Sequence, residues 1–272
     1  MKIRKLYIDN LKIFQDFNLD FTYNGKAQNL VVIAGLNGSG KTTLFRDFIF
    51  HTFKNKDISD DSFIEIEQKE DNDKKIYTIN NERLKSDFSD VMKYRSDVAL
   101  PEYENIIFHE AGISNKKTAK DTILQFIDDL IYEQDKKGSE AYSITQEILN
   151  SVFQDFELKI EFKGIDRNKE VLFGNNSPAK IKIEDLSGGE QELITKVFTL
   201  HLSDIKDSII LIDEPESSLH PNWQNRITQI YQGFADKNDN QIILATHSPH
   251  IVASVRKEQI RVLAQEEESG LI

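Results

Sequence analysis

The stretch that decides the fold is GLNGSGKT at residues 35–42, which fills every fixed position of the pattern G-x-x-x-x-G-K-[ST]. Its glycines let the backbone N–H groups turn inward around phosphate oxygens, and the positive end of a following helix points at the same place. In such a loop Lys41 reaches the β- and γ-phosphates, and the hydroxyl of Thr42 binds Mg²⁺. The stretch predicts a nucleoside triphosphate site, but it does not say which chemistry the triphosphate drives.

The residues on either side of this loop have the character that the motif requires. Residues 30–34 (LVVIA) form a short apolar, β-branched run, which predicts a buried strand, and residues 43–50 (TLFRDFIF) predict a helix. The alternative, a chance glycine-rich turn, requires neither element. We therefore expect a strand, a phosphate-binding loop and a helix in succession.

The composition favours one large domain with a sizeable core. The chain has 272 residues, of which 39% are hydrophobic, and it contains no cysteine, which excludes disulfides and thiolate metal sites. No run approaches the roughly 18 apolar residues of a membrane span, so we expect no membrane partner. The first residues have a charged strand pattern instead of a signal peptide. A cytoplasmic protein is the simplest expectation.

The net charge of −12 argues against a surface that binds nucleic acid everywhere, because Lys and Arg supply most non-specific affinity. Two basic stretches, around residues 2–5 and 116–120, could form a local patch. In a chain with 29% charged residues, such stretches are more often solvated faces. The sequence therefore leaves contact with DNA open.

The remaining periodicities predict an antiparallel portion followed by helices. Asn24-Gly25 is a turn signal, residues 134–140 read as an exposed linker, and two helices show 3.6-residue spacing, over residues 119–132 and about 143–153. Alternation predicts strands at residues 1–11, 17–21, 62–68, 75–79 and 157–162, and shorter strands at 106–108 and 259–263.

A second informative stretch is LSGGE at residues 186–190, followed by a predicted helix from Gln191 to about Leu202. Ser187 and the paired glycines could direct N–H groups, a hydroxyl and the positive end of the helix at an anion. Alternatively, Ser187 could cap the helix beside a flexible turn. The motif alone leaves both interpretations open.

A third stretch, SIILIDEP at residues 208–215, predicts a buried strand with Asp213 and Glu214 at its carboxyl end. Ligands bind at that edge of a parallel sheet. Asp213 there would join the Mg²⁺ shell, and Glu214 would orient or deprotonate an attacking water. The alternative is that the two carboxylates merely begin a loop.

A fourth stretch, QIILATHSP at residues 241–249, repeats the pattern of a buried strand followed by polar residues. His247 ends this strand, where it could donate a hydrogen bond to a γ-phosphate oxygen. A single histidine at a strand end is more often structural. Here it is the fourth polar group at one edge of one sheet.

These four elements, in this order, resemble the nucleotide-binding domain of the ABC-type ATPases. The resemblance implies an α/β, P-loop NTPase fold: one domain over residues 1–272, with a mostly parallel core sheet flanked by helices, an N-terminal antiparallel β lobe and a helical lobe. Lobe I would be about 1–105 and 205–272, and the helical lobe about 106–204. The implied site residues are Glu214 and His247 for catalysis, Thr42 and Asp213 for Mg²⁺, and Asn37, Gly38, Ser39, Gly40, Lys41, Thr42, Thr43, Ser187, Gly188 and Gly189 for ATP.

In this family the signature stretch serves the nucleotide of a neighbouring subunit. The resemblance therefore implies a head-to-tail homodimer that closes over two ATP molecules, with Ser187 and Gly189 reaching the γ-phosphate of the other copy. Neither site would be complete in a monomer.

The details resemble the RecF, SMC and OLD branch more than transporter subunits. Residues 214–221 (EPESSLHP) differ from the Ser-Ala-Leu-Asp-like loop of transporters, and ATHSPH at residues 245–250 resembles the branch. This implies an ATPase that controls a partner nuclease, toxin or DNA-bound assembly in DNA repair or anti-phage defence. A slowly hydrolysing regulatory scaffold and a transporter energy subunit remain alternatives.

Two departures from the family pattern qualify this interpretation. The glutamine that joins the lobes in the family corresponds here to His109 or Glu110, within residues 108–112 (FHEAG). No Toprim nuclease domain follows residue 263, so either the effector is a separate protein or the sequence is a fragment. The sequence names neither the partner nor its trigger.

Overall fold

The computed structural model describes residues 1–55, 58, 61–70, 73–81, 106–109, 119–174, 180–202 and 206–264. The chain divides into two compact units. The first contains Met1–Gly112, Lys206–Pro215 and Tyr231–Ile272, and the second contains Ile113–Ile205 and Glu216–Ile230. These bounds differ from the expected lobes, because residues 106–109 pair in the sheet of the first unit and residues 216–230 belong to the second.

The first unit is built on a parallel sheet of five strands, in the order β14-β5-β13-β12-β8. The strands are β5 (Leu30–Gly35), β8 (Ile106–His109), β12 (Ile209–Asp213), β13 (Gln241–Thr246) and β14 (Ile260–Leu263). β12 and β13 are buried throughout, which is why their sequences are mostly apolar. Because all the strands are parallel, their carboxyl ends lie at one edge of the sheet.

A second sheet in this unit is antiparallel and has the order β2-β1-β6-β7. It consists of β1 (Lys2–Leu11), β2 (Phe14–Asp20), β6 (Phe63–Glu70) and β7 (Asp73–Asn80). A short ribbon, β3 (Thr22–Tyr23) with β4 (Lys26–Ala27), turns at Asn24 and Gly25, whose φ angles are 48° and 74°. Two positive φ angles are what a tight Asn-Gly hairpin turn requires. The turn predicted at Asn24-Gly25 is present, and the strands predicted at residues 62–68 and 75–79 pair antiparallel as β6 and β7.

The helix after the phosphate-binding loop is wound as a π-helix over Thr43–Phe50 and continues as α1 (His51–Asn55). Leu44, Phe45, Phe48 and Ile49 are buried in the core that also contains residues of both sheets. The apolar face of this helix thus fixes the loop against the core.

The second unit is mainly helical, with α2 (Ala119–Tyr132), α3 (Gly138–Asp155) and α4 (Gly188–Leu202). It also has an antiparallel sheet in the order β11-β10-β9, formed by β9 (Glu161–Ile165), β10 (Val171–Gly174) and β11 (Lys180–Lys182). Helix α5 (Pro221–Lys237) begins in this unit, and α6 (Pro249–Ala253) belongs to the first.

Two predicted boundaries in the second unit are wrong. The linker expected over residues 134–140 is shorter, because α3 already begins at Gly138 and buries Ala141 completely in its first turn. The strand expected at residues 157–162 begins only at Glu161. Glu157 is left-handed, with φ 57°, and the N–H of Leu158 donates to the carbonyl of Phe153, so these residues close the helix instead.

Within the described part of the chain, no helix combines the length and the apolar character needed to cross a bilayer.

Candidate functional site

The phosphate-binding loop has its lysine buried and already directed into the loop. Lys41 is 6% exposed, and its Nζ donates to the carbonyl oxygens of Gly35 at 2.8 Å and Leu36 at 2.9 Å. Gly38 and Gly40 have φ angles of 85° and 92°. The ammonium group is therefore positioned by neutral acceptors in a loop whose conformation requires glycine.

One buried hydroxyl in this loop has no hydrogen-bond acceptor or donor among the described residues. Ser39 is 8% exposed, and its Oγ is without a partner. It lies only 2.4 Å from where a Cβ on Gly35 would be. Because buried polar atoms are normally hydrogen-bonded, this orphaned oxygen marks a place where a polar ligand fits.

The loop is joined to the end of β12 by a direct hydrogen bond. The hydroxyl of Thr42 donates to Oδ2 of Asp213 at 2.5 Å, and Asp213 is 4% exposed. β13 separates β5 from β12 in the sheet, and residue 213 pairs with Ala245. The two oxygen ligands that the sequence assigned to Mg²⁺ therefore lie side by side at the carboxyl edge.

Glu214 and His247 face each other just beyond this edge. Nδ1 of His247 lies 3.6 Å from Oε1 of Glu214, and the two side chains are 44% and 40% exposed. This separation is longer than a hydrogen bond. Glu214 has a left-handed φ of 50°, and its N–H donates to the carbonyl of Ala245 at 2.8 Å. The backbone thus turns sharply where the proposed base is presented.

Two residues that the sequence analysis did not single out hold His247 in place. The N–H of Ser248 donates to the hydroxyl of Thr246 at 2.9 Å, and Ser248 Oγ accepts from the N–H groups of His250 and Ile251. Ser248 thereby caps α6, with Pro249 in the first turn. The Ser-Pro sequence after a predicted strand could have indicated this helix cap in advance.

A surface ion pair fastens the β1–β2 turn to the helix after the loop. Nζ of Lys12 donates to Oδ2 of Asp47 at 2.6 Å, and Arg46 also contacts this carboxylate. Burial raises the pKa of Asp47, but hydrogen bonds and charges from Lys12 and Arg46 outweigh it, and the pKa is lower than usual. The turn next presents Ile13, whose Cδ1 lies 2.4 Å from where a Cβ on Gly40 would be.

The signature stretch in the second unit forms a complete capping box. The N–H and the hydroxyl of Ser187 donate to Oε2 of Glu190 at 2.8 and 2.7 Å, and Ser187 Oγ accepts the N–H of Glu190 at 3.3 Å. Ser187 and Gly188 are exposed, whereas Gly189 is half-buried. In this structure Ser187 caps helix α4, the simpler of the two interpretations that the motif allowed. The S-x-x-E spacing was the signal for the role of Glu190.

Ser187 and Gly189 also line an open groove of about 980 Å³ within the second unit. A Cβ on Gly189 would lie 3.1 Å from the carbonyl oxygen of Ser218 and 3.3 Å from the ring of Trp223. Nζ of Lys196 donates to the carbonyl of Ser217 at 3.0 Å. Helix α4 and the 216–223 segment therefore pack closely in this unit.

The structure brings Asn37, Gly38, Ser39, Gly40, Lys41, Thr42, Thr43, Asp213, Glu214 and His247 together in the first unit, and it places Ser187, Gly188 and Gly189 in the second. Glu110 lies outside the described residues, and for His109 only the backbone is described.

The N-terminal basic stretch is neutralised by carboxylates. Lys2 pairs with Asp239, Arg4 with Glu65 and Glu67, and Lys5 with Asp20. These pairs favour the interpretation of the stretch as a paired or solvated face. Residues 116 and 117 of the other stretch lie outside the described residues.

The first unit fits a magnesium–triphosphate group. The buried lysine, the orphaned Ser39 hydroxyl and the Thr42–Asp213 pair supply a cation, a polar atom and two oxygen ligands. No group of three or more His, Cys, Asp or Glu side chains that could hold a metal occurs among the residues whose structure is described. Mg²⁺ at phosphate sites is generally bound through one or two protein oxygens plus phosphates and water.

Comparison with known proteins places this geometry in a family. Residues 47–253 match the AAA_21 family, described as “AAA domain, putative AbiEii toxin, Type IV TA system”. This match covers more than half of the chain.

Relatives are found among import ATP-binding proteins and among Septu and retron proteins. The phosphonates import ATP-binding protein PhnC of Mycoplasma mycoides is 26% identical over 247 residues, covering 90% of this chain and 82% of PhnC. The Septu protein PtuA of Bacillus thuringiensis is 22% identical, covering 99% of this chain and 77% of PtuA. The "Retron Vc95 probable ATPase" of Vibrio cholerae is 28% identical over 174 residues, 59% of this chain and 33% of that protein.

Solved structures show the fold. The SMC head domain from Thermotoga maritima superposes with a TM-score of 0.52 at 19% identity, covering 93% of this chain and 92% of that one. An SMC head bound to the C-winged helix domain of ScpA gives 0.50 at 14% identity, covering 96% of both chains. The predicted α/β P-loop fold is confirmed.

Proposed function

The chain belongs to the AAA_21 family of ATPase domains, and from that premise we propose that it hydrolyses ATP with Mg²⁺ as a head-to-tail dimer that controls a partner effector. The observation that carries the proposal is the hydrogen bond of 2.5 Å between Thr42 Oγ1 and Asp213 Oδ2. It joins the two Mg²⁺ ligands from different parts of the chain at the sheet edge where Lys41, Glu214 and His247 also lie.

Each site residue of the first unit then has a role that follows from its position. Lys41 binds the β- and γ-phosphates once its ammonium leaves the loop carbonyls. Thr42 and Asp213 bind Mg²⁺, which in such sites neutralises charge that develops on the phosphates. Glu214 is half-exposed, so it can hold an attacking water and accept its proton. His247 is placed to donate a hydrogen bond to the γ-phosphate.

The dimer is proposed because residues 186–190 resemble the signature stretch of ABC-type ATPases, which serves the nucleotide of a neighbouring subunit. In the head-to-tail dimer that the resemblance implies, Ser187 and Gly189 of one copy face the ATP bound by the other copy. The exposure of Ser187 and Gly188 is compatible with such a contact.

The test is the Glu214→Gln variant. It should bind ATP, form a stable dimer in Mg–ATP and hydrolyse about 10²–10⁴-fold more slowly than the wild-type chain, since removing a general base costs this much. Phosphate release and the mass in solution measure the two properties. Glu192→Gln on α4 serves as the matched control, because this half-exposed glutamate pairs only with Lys196 in the described contacts. Wild-type turnover by Glu214→Gln would show that the assigned base is wrong.

The partner is proposed to be a nuclease or toxin in anti-phage defence. The support is the likeness to a Septu protein and a retron ATPase, and contact with DNA remains part of the same proposal. Purification from the native host, followed by identification of the co-purifying proteins, tests it. Recovery of the chain alone, both with and without ATP, would contradict an effector partner.

Two other functions have specific support. Likeness to PhnC supports a transporter energy subunit, which should co-purify with membranes. The replacement of the lobe-joining glutamine by His109 or Glu110, together with the acidic net charge, supports a regulatory scaffold. For such a scaffold, ATP turnover should lie well under about 1 per second. Measured turnover and fractionation separate these functions from the leading one.

A further inference from the structure

Ser187 has two hydrogen-bond donors, and both are used within its own helix. Its N–H and its hydroxyl donate to the same carboxylate oxygen, Oε2 of Glu190, at 2.8 and 2.7 Å. The hydroxyl oxygen also accepts the N–H of Glu190 at 3.3 Å. A serine hydroxyl carries one proton, and a backbone amide carries one. Neither donor can serve a phosphate oxygen while it is directed at Glu190.

The group that uses these donors is negatively charged. A carboxylate accepts stronger hydrogen bonds than a neutral group, and its charge repels a phosphate brought to the same place. At this helix N-terminus Glu190 therefore lies where an incoming anion would bind.

Two cations of this unit, one lining the groove and one on α4, pair with groups other than Glu190 in the described contacts. Arg226 lines the same groove as Ser187, but its guanidinium pairs with Glu157 and with the carbonyl of Asp155. Lys196, on the next turns of α4, pairs with Glu192 and with the carbonyl of Ser217. Neither of these sets of contacts includes the carboxylate of Glu190.

We propose that Glu190 competes with the γ-phosphate bound by a second copy of the chain for the two donors of Ser187. This inference rests on the proposed ATP-dependent dimer and assigns the regulation of its signature half. The capped state is the resting state, and ATP on the other copy must displace the carboxylate before the dimer closes. Glu190 thereby raises the ATP concentration at which dimers form.

Glu190→Gln tests the competition, because glutamine keeps the length of the side chain and an oxygen that can cap Ser187, but it lacks the charge. Both this variant and the control Glu192→Gln are made on the Glu214→Gln chain, in which hydrolysis does not deplete the dimer. The ATP concentration for half-maximal dimerisation should fall about tenfold in Glu190→Gln and not in Glu192→Gln, since charged acceptors hold donors more strongly than neutral ones.

A second readout separates charge competition from a change in helix stability. The tenfold difference should shrink as salt is raised from about 0.05 to 0.5 M, because ions screen repulsion between exposed charges. The ATP affinity of the monomer, measured at protein concentrations too low for dimers to form, should be the same in all variants.

Three outcomes would overturn the proposal. One is equal ATP requirement in Glu190→Gln and Glu192→Gln, while the Glu214→Gln chain itself dimerises; the proposed function then stands. Another is a higher ATP requirement in Glu190→Gln, which would make the carboxylate a helper of closure. If the Glu214→Gln chain forms no dimer at any ATP concentration, both the inference and the proposed dimer fail.

Discussion

The two halves of the proposed ATP site are prepared for phosphate in opposite ways. In the first unit Lys41 is 6% exposed and rests on two neutral carbonyls, in a loop fixed by the core. In the second unit Ser187 is exposed, and both of its donors are used by the carboxylate of Glu190 in the first turn of the same helix. The first half is preorganised by packing, whereas the second is held by a local motif that an incoming anion must open. Substitutions should therefore affect ATP binding in the first half and dimer closure in the second.

The glycines of the two halves are required for different reasons. Gly40 has a φ of 92°, and a Cβ there would lie 2.4 Å from Ile13 and 2.8 Å from Phe14. Gly189 meets milder crowding, with 3.1 Å to the Ser218 carbonyl and 3.3 Å to Trp223. The loop needs an unusual backbone conformation as well as space, while the signature needs space alone.

The largest effect is expected from Lys41→Ala, which should weaken Mg–ATP binding about 100-fold, because a buried cation bound to phosphate is lost. Titration calorimetry on the monomer measures it. The control is Lys26→Ala, an exposed lysine of the same unit. If Lys41→Ala binds ATP as the control does, the loop does not hold the phosphates in the way that the contrast between the halves requires.

Gly40→Ala should be the next most severe change, lowering the free energy of unfolding by about 3 kcal/mol through left-handed strain plus a collision with the side chains of Ile13 and Phe14. Gly38→Ala separates the two causes, because its φ of 85° is similar but nothing lies within 4 Å of its Cβ. It should cost only about 1 kcal/mol. Urea unfolding measures both variants, and equal losses would show that the collision is relieved without cost.

Gly189→Ala should have a smaller effect on stability, about 1 kcal/mol, since its neighbours need to move by only a few tenths of an ångström. Its consequence should appear in ATP-dependent dimerisation, while ATP binding by the monomer is unchanged. Gly188→Ala, with open space around its Cβ, is the control for loss of glycine in the same loop. Weaker ATP binding in the Gly189→Ala monomer would erase the distinction between the halves.

The sequence predicted the first half of the site more completely than the second. Period-2 and apolar runs located β5, β12 and β13, and the rule that parallel strands bring their carboxyl ends together placed Asp213 and His247 near the loop. What it could not supply were contacts set by tertiary packing: the orphaned hydroxyl of Ser39 and the approach of Ile13 to Gly40 depend on residues far apart in sequence or on exact backbone angles.

In the second unit the sequence missed the end of a helix, the assignment of one segment and the hydrogen bonds between Glu190 and Ser187. The turn at Glu157 uses a left-handed residue without glycine, so no sequence signal marked the end of α3. The 216–230 segment could not be assigned to this unit from its pattern, because helical periodicity shows an apolar face but not the partner against which it packs. The S-x-x-E spacing could have marked Glu190 as part of a capping box, yet only the hydrogen bonds of the folded chain show that it uses both donors of Ser187.

The smallest expected effect tests how far the preorganisation of the first half depends on charge. Asp47→Asn removes the ion pair with Lys12, the residue before Ile13, and should cost about 0.5 kcal/mol at neutral pH, as exposed pairs do. The pKa of Asp47 is lower in the folded chain than its usual 3.8, so the pair stabilises the fold above that pH and is lost as the pH falls through the lowered pKa. The stability difference between wild type and Asp47→Asn, measured by urea unfolding, should therefore be constant near neutrality and vanish on acidification. A difference that persists in acid would mean that Asp47 stabilises the fold by packing. The first half of the site would then not depend on this charge, in contrast to the second half, where the charge of Glu190 is proposed to control closure.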